Sequence, residues 1–569
     1  MGGGGFLLIH MNDVGNKTSV QEFIDCRETA PAASTVDMYE DLSASASTDG
    51  GLSIAVPGEL KGLEVAHTKY GVLPWSTVVM PAVKLAEDGV PVNDHLGDAI
   101  QKNADKILRN DALASVLSKG GDGKELLTAG DILRQPTLGR TLRAIMEQGS
   151  DAIYKGDLAE QLAEDIQQQG GIITLEDLEN YTAAVSEPIR VDGVGGFTII
   201  GAPPPSSGGG VLIGALRFLA GYETPYAGFY HTLSQHRLIE AMKHVFAIRM
   251  SLSDPRFNTN VTKTAMYDLT QGSYIDELRE MTLDHNVLPL SAYGGSKWAL
   301  LTDDNGTRSG RQMMSTSSRR NVRRADIKRT KFVGAFNKGN RSIIGLHYLD
   351  DWGTSHLSIV DKDRNAVAFT STVNLEFGSG VLSPSTGILL NDEMDDFATP
   401  GRPNGFGLAP AEANYIFPGK RPLSSMSPTL MFHTEGENES SSYHGTKDIG
   451  KLFLVGGASG GPRIITATLQ FILNHAMVGQ SLQESIASPR VHNQLLFHGI
   501  PCTNFDLDPL IQGGLIELPL ETKESLVDRG HTLHPLDYMG TVQAVTIDLD
   551  ENTLSAVSDV RKGGLPSGY

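Results

Sequence analysis

The chain has 569 residues and a mass of 61.0 kDa, with 40% hydrophobic and 20% charged residues, enough apolar material for a large globular core. Its net charge of −20 argues against a general nucleic-acid partner, because a polyanion is repelled. Its two cysteines, Cys26 and Cys502, stand in no CxxC pair and form one disulfide or none, so no zinc, redox or other cofactor motif is read.

Along the chain, GGGGFLLIH reads as a glycine turn followed by a buried strand. Residues 59–90 and 95–118 carry helical spacing of apolar positions. Thr174, with Asp177 three residues on, predicts a helix N-cap. VSEPIRV and FTIIGAP read as strands, GAPPPSSGGG as punctuation, and VLIGALRFLAGY as a helix. LSQHRLIEAMKHVFAIRMSLSDPRF predicts a long helix ending near Asp254-Pro255. Residues 308–341 hold eleven Lys or Arg and one acid, Asp326, and read as a disordered basic loop. After residue 350 the texture turns to strands. HLSIVDKDRNAVAFTSTVNLEFG is a hairpin around DKDRN, KLFLVGGASGG with PRIITATLQFILNHAM is strand, glycine turn and helix, and TVQAVTIDLDENTLSAVSD is a second hairpin. No apolar run reaches the ~18 residues of a membrane span. MGGGGFLLIH lacks the pattern of a signal peptide. N-x-S/T sequons at Asn16, Asn180, Asn260, Asn305, Asn340 and Asn438 are compatible with a secretory route.

Two local patterns carry chemistry. Gly353-Thr354 opens a predicted strand. Threonine is a weak nucleophile at neutral pH unless a base stands beside it, and a free α-amine on the same residue supplies one. That requires a cut before Thr354, and glycine at 353 leaves the scissile carbonyl accessible. The rival pattern is Gly457-Ala458-Ser459-Gly460-Gly461, which matches GxSxG between a strand and a helix and offers Ser459 as the nucleophile of an α/β-hydrolase elbow.

The runs GTSHLSIVDKDRNAVAFTSTVNLEFGSG, GILLNDEMDDF, KRPLSSMSPT and LVGGASGGPRI, in that order, resemble the γ-glutamyltranspeptidase family. So do GGGGFLLIH, DCRETAPAA, AVPGELKGLEVAHTKYG, PPPSSGGG and EAMKHVFAIRMSLSDPRF upstream, and SDVRKGGLPSGY at the end. The resemblance implies an N-terminal-nucleophile hydrolase, a four-layer αββα sandwich made of residues 1–353 and 354–569 after self-cleavage between Gly353 and Thr354. The two pieces would stay together as a heterodimer. Thr354 would attack glutathione or another γ-glutamyl donor, with water, amino acids or dipeptides as acceptors. Thr372 would hydrogen-bond Thr354, and Gly460 and Gly461 would hold the oxyanion.

For a zwitterionic glutamyl group, Arg27, Ser424 and Ser425 would bind the α-carboxylate, and Asn374, Glu393 and Asp396 the α-ammonium. PGRPNGFGLAPAEANYIFPGKRP would cover the pocket as a lid. The family's location implies an extracellular or cell-surface protein. It also implies a helical segment ahead of GGGGF, where this chain begins, and it has no counterpart for the basic stretch 308–341. Two rivals remain: a cephalosporin or glutaryl acylase of the same fold, and a dead, unprocessed homologue kept for binding. Arg27 with Glu393 and Asp396 argues against the first, and the intact set Thr354, Thr372, Gly460 and Gly461 against the second.

Overall fold

The computed structural model describes residues 1–13, 18–300, 353–434, 449–509, 515–536 and 538–568; the basic stretch 308–341 lies outside the described residues. Two antiparallel sheets stack face to face. The first is built from β1 (Gly4–Asp13), β2 (Thr18–Asp25), β3 (Ala184–Ser186) and the hairpin β6 (Thr354–Val360) and β7 (Ala366–Thr372), in the order β3-β2-β1-β7-β6. The second holds β4 (Ile189–Val194), β5 (Phe197–Gly201), β8 (Thr429–His433), β9 (Leu452–Ser459), β10 (Thr541–Asp548) and β11 (Thr553–Ser558), in the order β11-β10-β9-β8-β5-β4. Each sheet mixes strands from before and after residue 353.

Helices cover both outer faces. Helix α1 (Glu59–Tyr70) lies on β1 and β2, while α2 (Gly208–Ala220), α3 (Thr232–Arg249) and α4 (Arg463–Ile472) form the layer over the second sheet. The result is the αββα sandwich. Strand β1 shows why its sequence is a continuous apolar run. Phe6 and Leu8 join the large core between the sheets, and Leu7 and Ile9 pack outward toward Leu63, Ala66 and Tyr70 of α1. A strand buried on both faces cannot alternate apolar with polar.

Most of the predicted elements are present. The DKDRN turn closes with the Asp361 N–H donating to Asn365 O at 3.0 Å, and Thr174 forms a reciprocal capping box with Asp177. The long helix stops at Arg249, before Asp254-Pro255. Two glycine runs behave differently from the expectation. In GGGGF, Gly4 and Gly5 are already strand, and the run makes close contact rather than a turn. A Cβ on Gly3 would lie 1.9 Å from Thr372 O, and one on Gly4 would lie 2.3 Å from a Glu28 oxygen. In SSGGG the glycines are the first turn of α2, and a Cβ on Gly209 would meet Ala202 O at 2.4 Å. Cys26 and Cys502 are both buried and unpaired.

Candidate active site

Thr354 is the first residue of β6, and pairing with β7 sets it directly opposite Thr372. Both are buried, and their hydroxyl oxygens are 2.9 Å apart. Thr372 Oγ1 also accepts from the Asn374 N–H at 2.9 Å. Lys562 Nζ donates to Thr354 O at 2.7 Å, and the Val373 N–H donates to Gly353 O at 3.2 Å. Gly353 has no room for a side chain, because a Cβ would stand 2.3 Å from both Asn374 O and Leu375 O.

Beyond the hairpin the chain turns sharply at Asn374, whose φ of 76° suits asparagine better than most residues. The Asn374 amide donates to Asp392 O at 3.1 Å. Asp392 holds the turn by accepting the Leu375 N–H at 3.0 Å, and burial pushes its carboxyl well up. Glu393 and Asp396 follow in a short 3-10 turn (Glu393–Asp396). They face Arg27, which follows β2. Its Nη1 donates to Glu393, its Nη2 to Asp396, and its Nε to Pro422 O at 3.2 Å. Burial opposes the charge on Arg27, but Glu393 and Asp396 outweigh it and raise the guanidinium further. Burial likewise raises Glu393, against the pull of Arg27.

Ser424 and Ser425 lie across from this cluster. They are held by the loop before α2, where the Ser424 N–H donates to Pro205 O at 2.9 Å and Ser207 Oγ to Ser424 O at 2.6 Å. Gly460 and Gly461, at φ 129° and 54°, form the turn from β9 to α4. Arg27, Thr354, Thr372, Asn374, Glu393, Asp396, Ser424, Ser425 and Gly461 line one cavity. Gly460 adjoins it without being part of the wall. Phe406 and Leu408, from the expected lid segment, close another side.

The elbow reading fares differently. Ser459 does lie between strand and helix, but it is 1% exposed, and its Oγ meets the Tyr538 hydroxyl at 3.4 Å. Neither residue lines the cavity. His356, two residues after Thr354, turns away to Thr370 and Ser358, and burial lowers it to about 3.

The γ-glutamyltranspeptidase family model matches residues 1–569, the whole chain. The chain belongs to the γ-glutamyltranspeptidase family. Its relatives include glutathione hydrolase 3 of Arabidopsis thaliana, 36% identical over 589 residues, covering all of this chain and 80% of that one. Another is the glutathione hydrolase proenzyme of Escherichia coli, 33% identical, covering all of this chain and 84% of that one. Among solved structures, cephalosporin acylase from Bacillus halodurans superposes with a TM-score of 0.71 at 21% identity, over all of this chain and 88% of that one, which speaks for the shared fold.

Sequence reasoning about this γ-glutamyltranspeptidase-family chain missed two buried ionisable groups behind the cavity wall. Glu28 is 3.7 Å from Arg27, its carboxylate has no hydrogen-bond partner among the described residues, and burial raises it to about 8. Its only signal was adjacency to Arg27. Arg249 ends α3 and reaches Ser425 from behind. Elsewhere, His236, Glu240 and His531 come together as a set able to hold a metal ion. The ammonium of Lys243 donates to Glu240 at 2.7 Å and already supplies a cation there.

Proposed function

We propose that this protein transfers γ-glutamyl groups from glutathione and related amides to water, amino acids or dipeptides, through an ester on Thr354. The observation that carries the reading is the make-up of the cavity wall. A threonine hydroxyl bonded to a second threonine faces a buried arginine, two acids and two serines, with no histidine, lysine or cysteine among the described lining residues. The relatives named glutathione hydrolase support glutathione as the donor.

A hydroxyl in this position needs a base, and the α-amine of Thr354 itself is within reach once the Gly353–Thr354 bond is cut. In that cut, Thr354 Oγ1 adds to the Gly353 carbonyl carbon, the C–N bond breaks as nitrogen takes the hydroxyl proton, and water opens the resulting ester. In turnover, the free amine takes the hydroxyl proton while the oxygen adds to the γ-carbonyl carbon. The N–H groups of Gly460 and Gly461, at the turn into α4, hold the oxyanion. The C–N bond then breaks and the proton passes to the departing amine. Water or an acceptor amine repeats the addition and frees Thr354. Thr372 keeps the nucleophile aligned from across the hairpin.

The zwitterionic end of the donor fits by exchange of partners. Its carboxylate replaces an acid on Arg27, and its ammonium replaces the arginine beside Glu393 and Asp396, with Asn374 alongside. No charge is left buried and unpaired, which is the costly alternative. Exposed sequons at Asn180 and Asn260 support a secretory route to the cell surface. Among the described residues no helix is long and apolar enough to cross a membrane.

The test is a denaturing gel with N-terminal sequencing. The active protein should run as pieces of residues 1–353 and 354–569, held together as a heterodimer under native conditions, and Thr354→Ala should remain one band. A smaller piece that begins elsewhere, or full activity in the uncut chain, would overturn the assignment of Thr354.

A further inference from the structure

We propose that Arg249 is a positioning residue for the donor's carboxylate, acting through the hydroxyl of Ser425. The proposal rests on the γ-glutamyl reading of the cavity and extends it to a residue outside the cavity wall. Arg249 is 4% exposed at the end of α3. Its Nε donates to Ser207 Oγ and its Nη2 to Ser425 Oγ, each at 2.9 Å. Ser207 Oγ in turn donates to Ser424 O at 2.6 Å, so one guanidinium fork fixes both ends of the serine pair.

The direction of these bonds is what matters. A serine hydroxyl has one hydrogen to donate and can accept two. Ser425 Oγ accepts from Arg249, and Ser424 Oγ accepts from the Met426 N–H at 3.1 Å. Neither hydroxyl donates to an acceptor among the described residues. Each therefore keeps its hydrogen for a ligand, and a wall that offers two hydroxyl donors fits an anion. Arg27 is placed differently, with both of its terminal nitrogens committed to Glu393 and Asp396. Arg249 makes no ion pair among the described residues, and the charges that act on it most are those of Asp396 and Arg27. Burial lowers it to about 10, so it remains a cation at neutral pH. Among the described residues its charge has no acid of its own, and it adds to the carboxylate end of the pocket with Ser425 as the intermediary.

Three anilide donors separate this role from a structural one: γ-glutamyl, glutaryl (no amine) and 4-aminobutyryl (no carboxylate). In the processed enzyme, Arg249→Met should lower kcat/KM about tenfold or more for the first two donors, the usual scale for a hydrogen bond to a charged group. The 4-aminobutyryl donor should change by less than about twofold, because it lacks the carboxylate that the bond serves. In a Ser425→Ala background, Arg249→Met should add clearly less than it costs the wild type, since the intermediary is already gone and only the hold on Ser424 through Ser207 remains. If Arg249→Met does not fold and process, Arg249→Lys, which keeps the charge but cannot hold both serines, should show the same donor pattern. Equal losses on all three donors, or a full additional loss on top of Ser425→Ala, would overturn the proposal alone. A wild type indifferent to the donor's carboxylate would overturn the γ-glutamyl reading and this proposal with it.

Discussion

Thr354 and Thr372 face each other across the β6–β7 hairpin with their hydroxyl oxygens 2.9 Å apart. Because the Asn374 N–H already donates to Thr372 Oγ1, the hydrogen of Thr372 is available for Thr354. The proposed nucleophile is thus oriented by its own sheet, with no need for a neighbouring imidazole.

Thr372→Val keeps the shape of the side chain and removes this bond. A hydrogen bond of this kind is worth about 0.5–1.5 kcal/mol, so kcat for a γ-glutamyl anilide should fall roughly two- to tenfold with KM little changed. Steady-state kinetics on the processed variant checks this. A change confined to KM would mean that Thr372 contacts the donor rather than the nucleophile.

Gly353→Ala places a methyl group 2.3 Å from two backbone carbonyl oxygens of residues 374 and 375. Forcing a methyl into a filled site costs about 1–3 kcal/mol, and here the cost falls on the register that sets Thr354 opposite Thr372. Self-cleavage should slow by about tenfold on that scale, which a time course of the two bands on a gel would show. Cleavage at the wild-type rate would mean that the Asn374 turn gives way easily.

Asp396→Ala removes one of the two acids on Arg27. Truncating one partner of a desolvated charge pair typically costs about 2–5 kcal/mol, so kcat/KM for γ-glutamyl donors should drop at least tenfold or so. A glutaryl donor lacks the amine that Asp396 is proposed to bind. It should be a poor substrate for wild type and lose much less on mutation. Equal turnover of glutaryl and γ-glutamyl anilides by wild type would favour the acylase reading.

Glu28 links the site to stability. Its carboxyl is raised from 4.5 to about 8 by burial, so between those values the folded state holds a proton that the unfolded state has released. Stability therefore falls as pH rises from about 4.5 to about 8, and it is fully retained only below the unfolded value. Glu28→Gln cannot ionise and should flatten this decline. Thermal melts of both proteins from pH 5 to 9 would show it. An unchanged slope would mean that Glu28 is ionised throughout, compensated by Arg27.

The elements and the order of the site motifs were legible in the amino-acid sequence by itself. Strand β1 betrayed its double burial in FLLI, the DKDRN turn its hairpin, and Gly353-Thr354 its place at a strand start, because each rests on neighbours within a few residues. GGGGF was misread as a turn, and the helix after PPPSS was placed too late by leaving out its glycines, for the opposite reason. Nothing local tells that Gly3 lies against Thr372 O or Gly209 against Ala202 O; that contact exists only when distant strands and helices pack. The same holds for the charged groups. Arg27, Glu393 and Asp396 were marked for opposite ends of a substrate, and only the tertiary structure decided that they also neutralise one another across more than 360 residues of chain. Arg249 stood in a predicted long helix with nothing to mark it, and only packing brought the end of that helix behind Ser425. Hydrogen bonds between side chains far apart in sequence leave no periodicity to read, whereas the backbone's own preferences do.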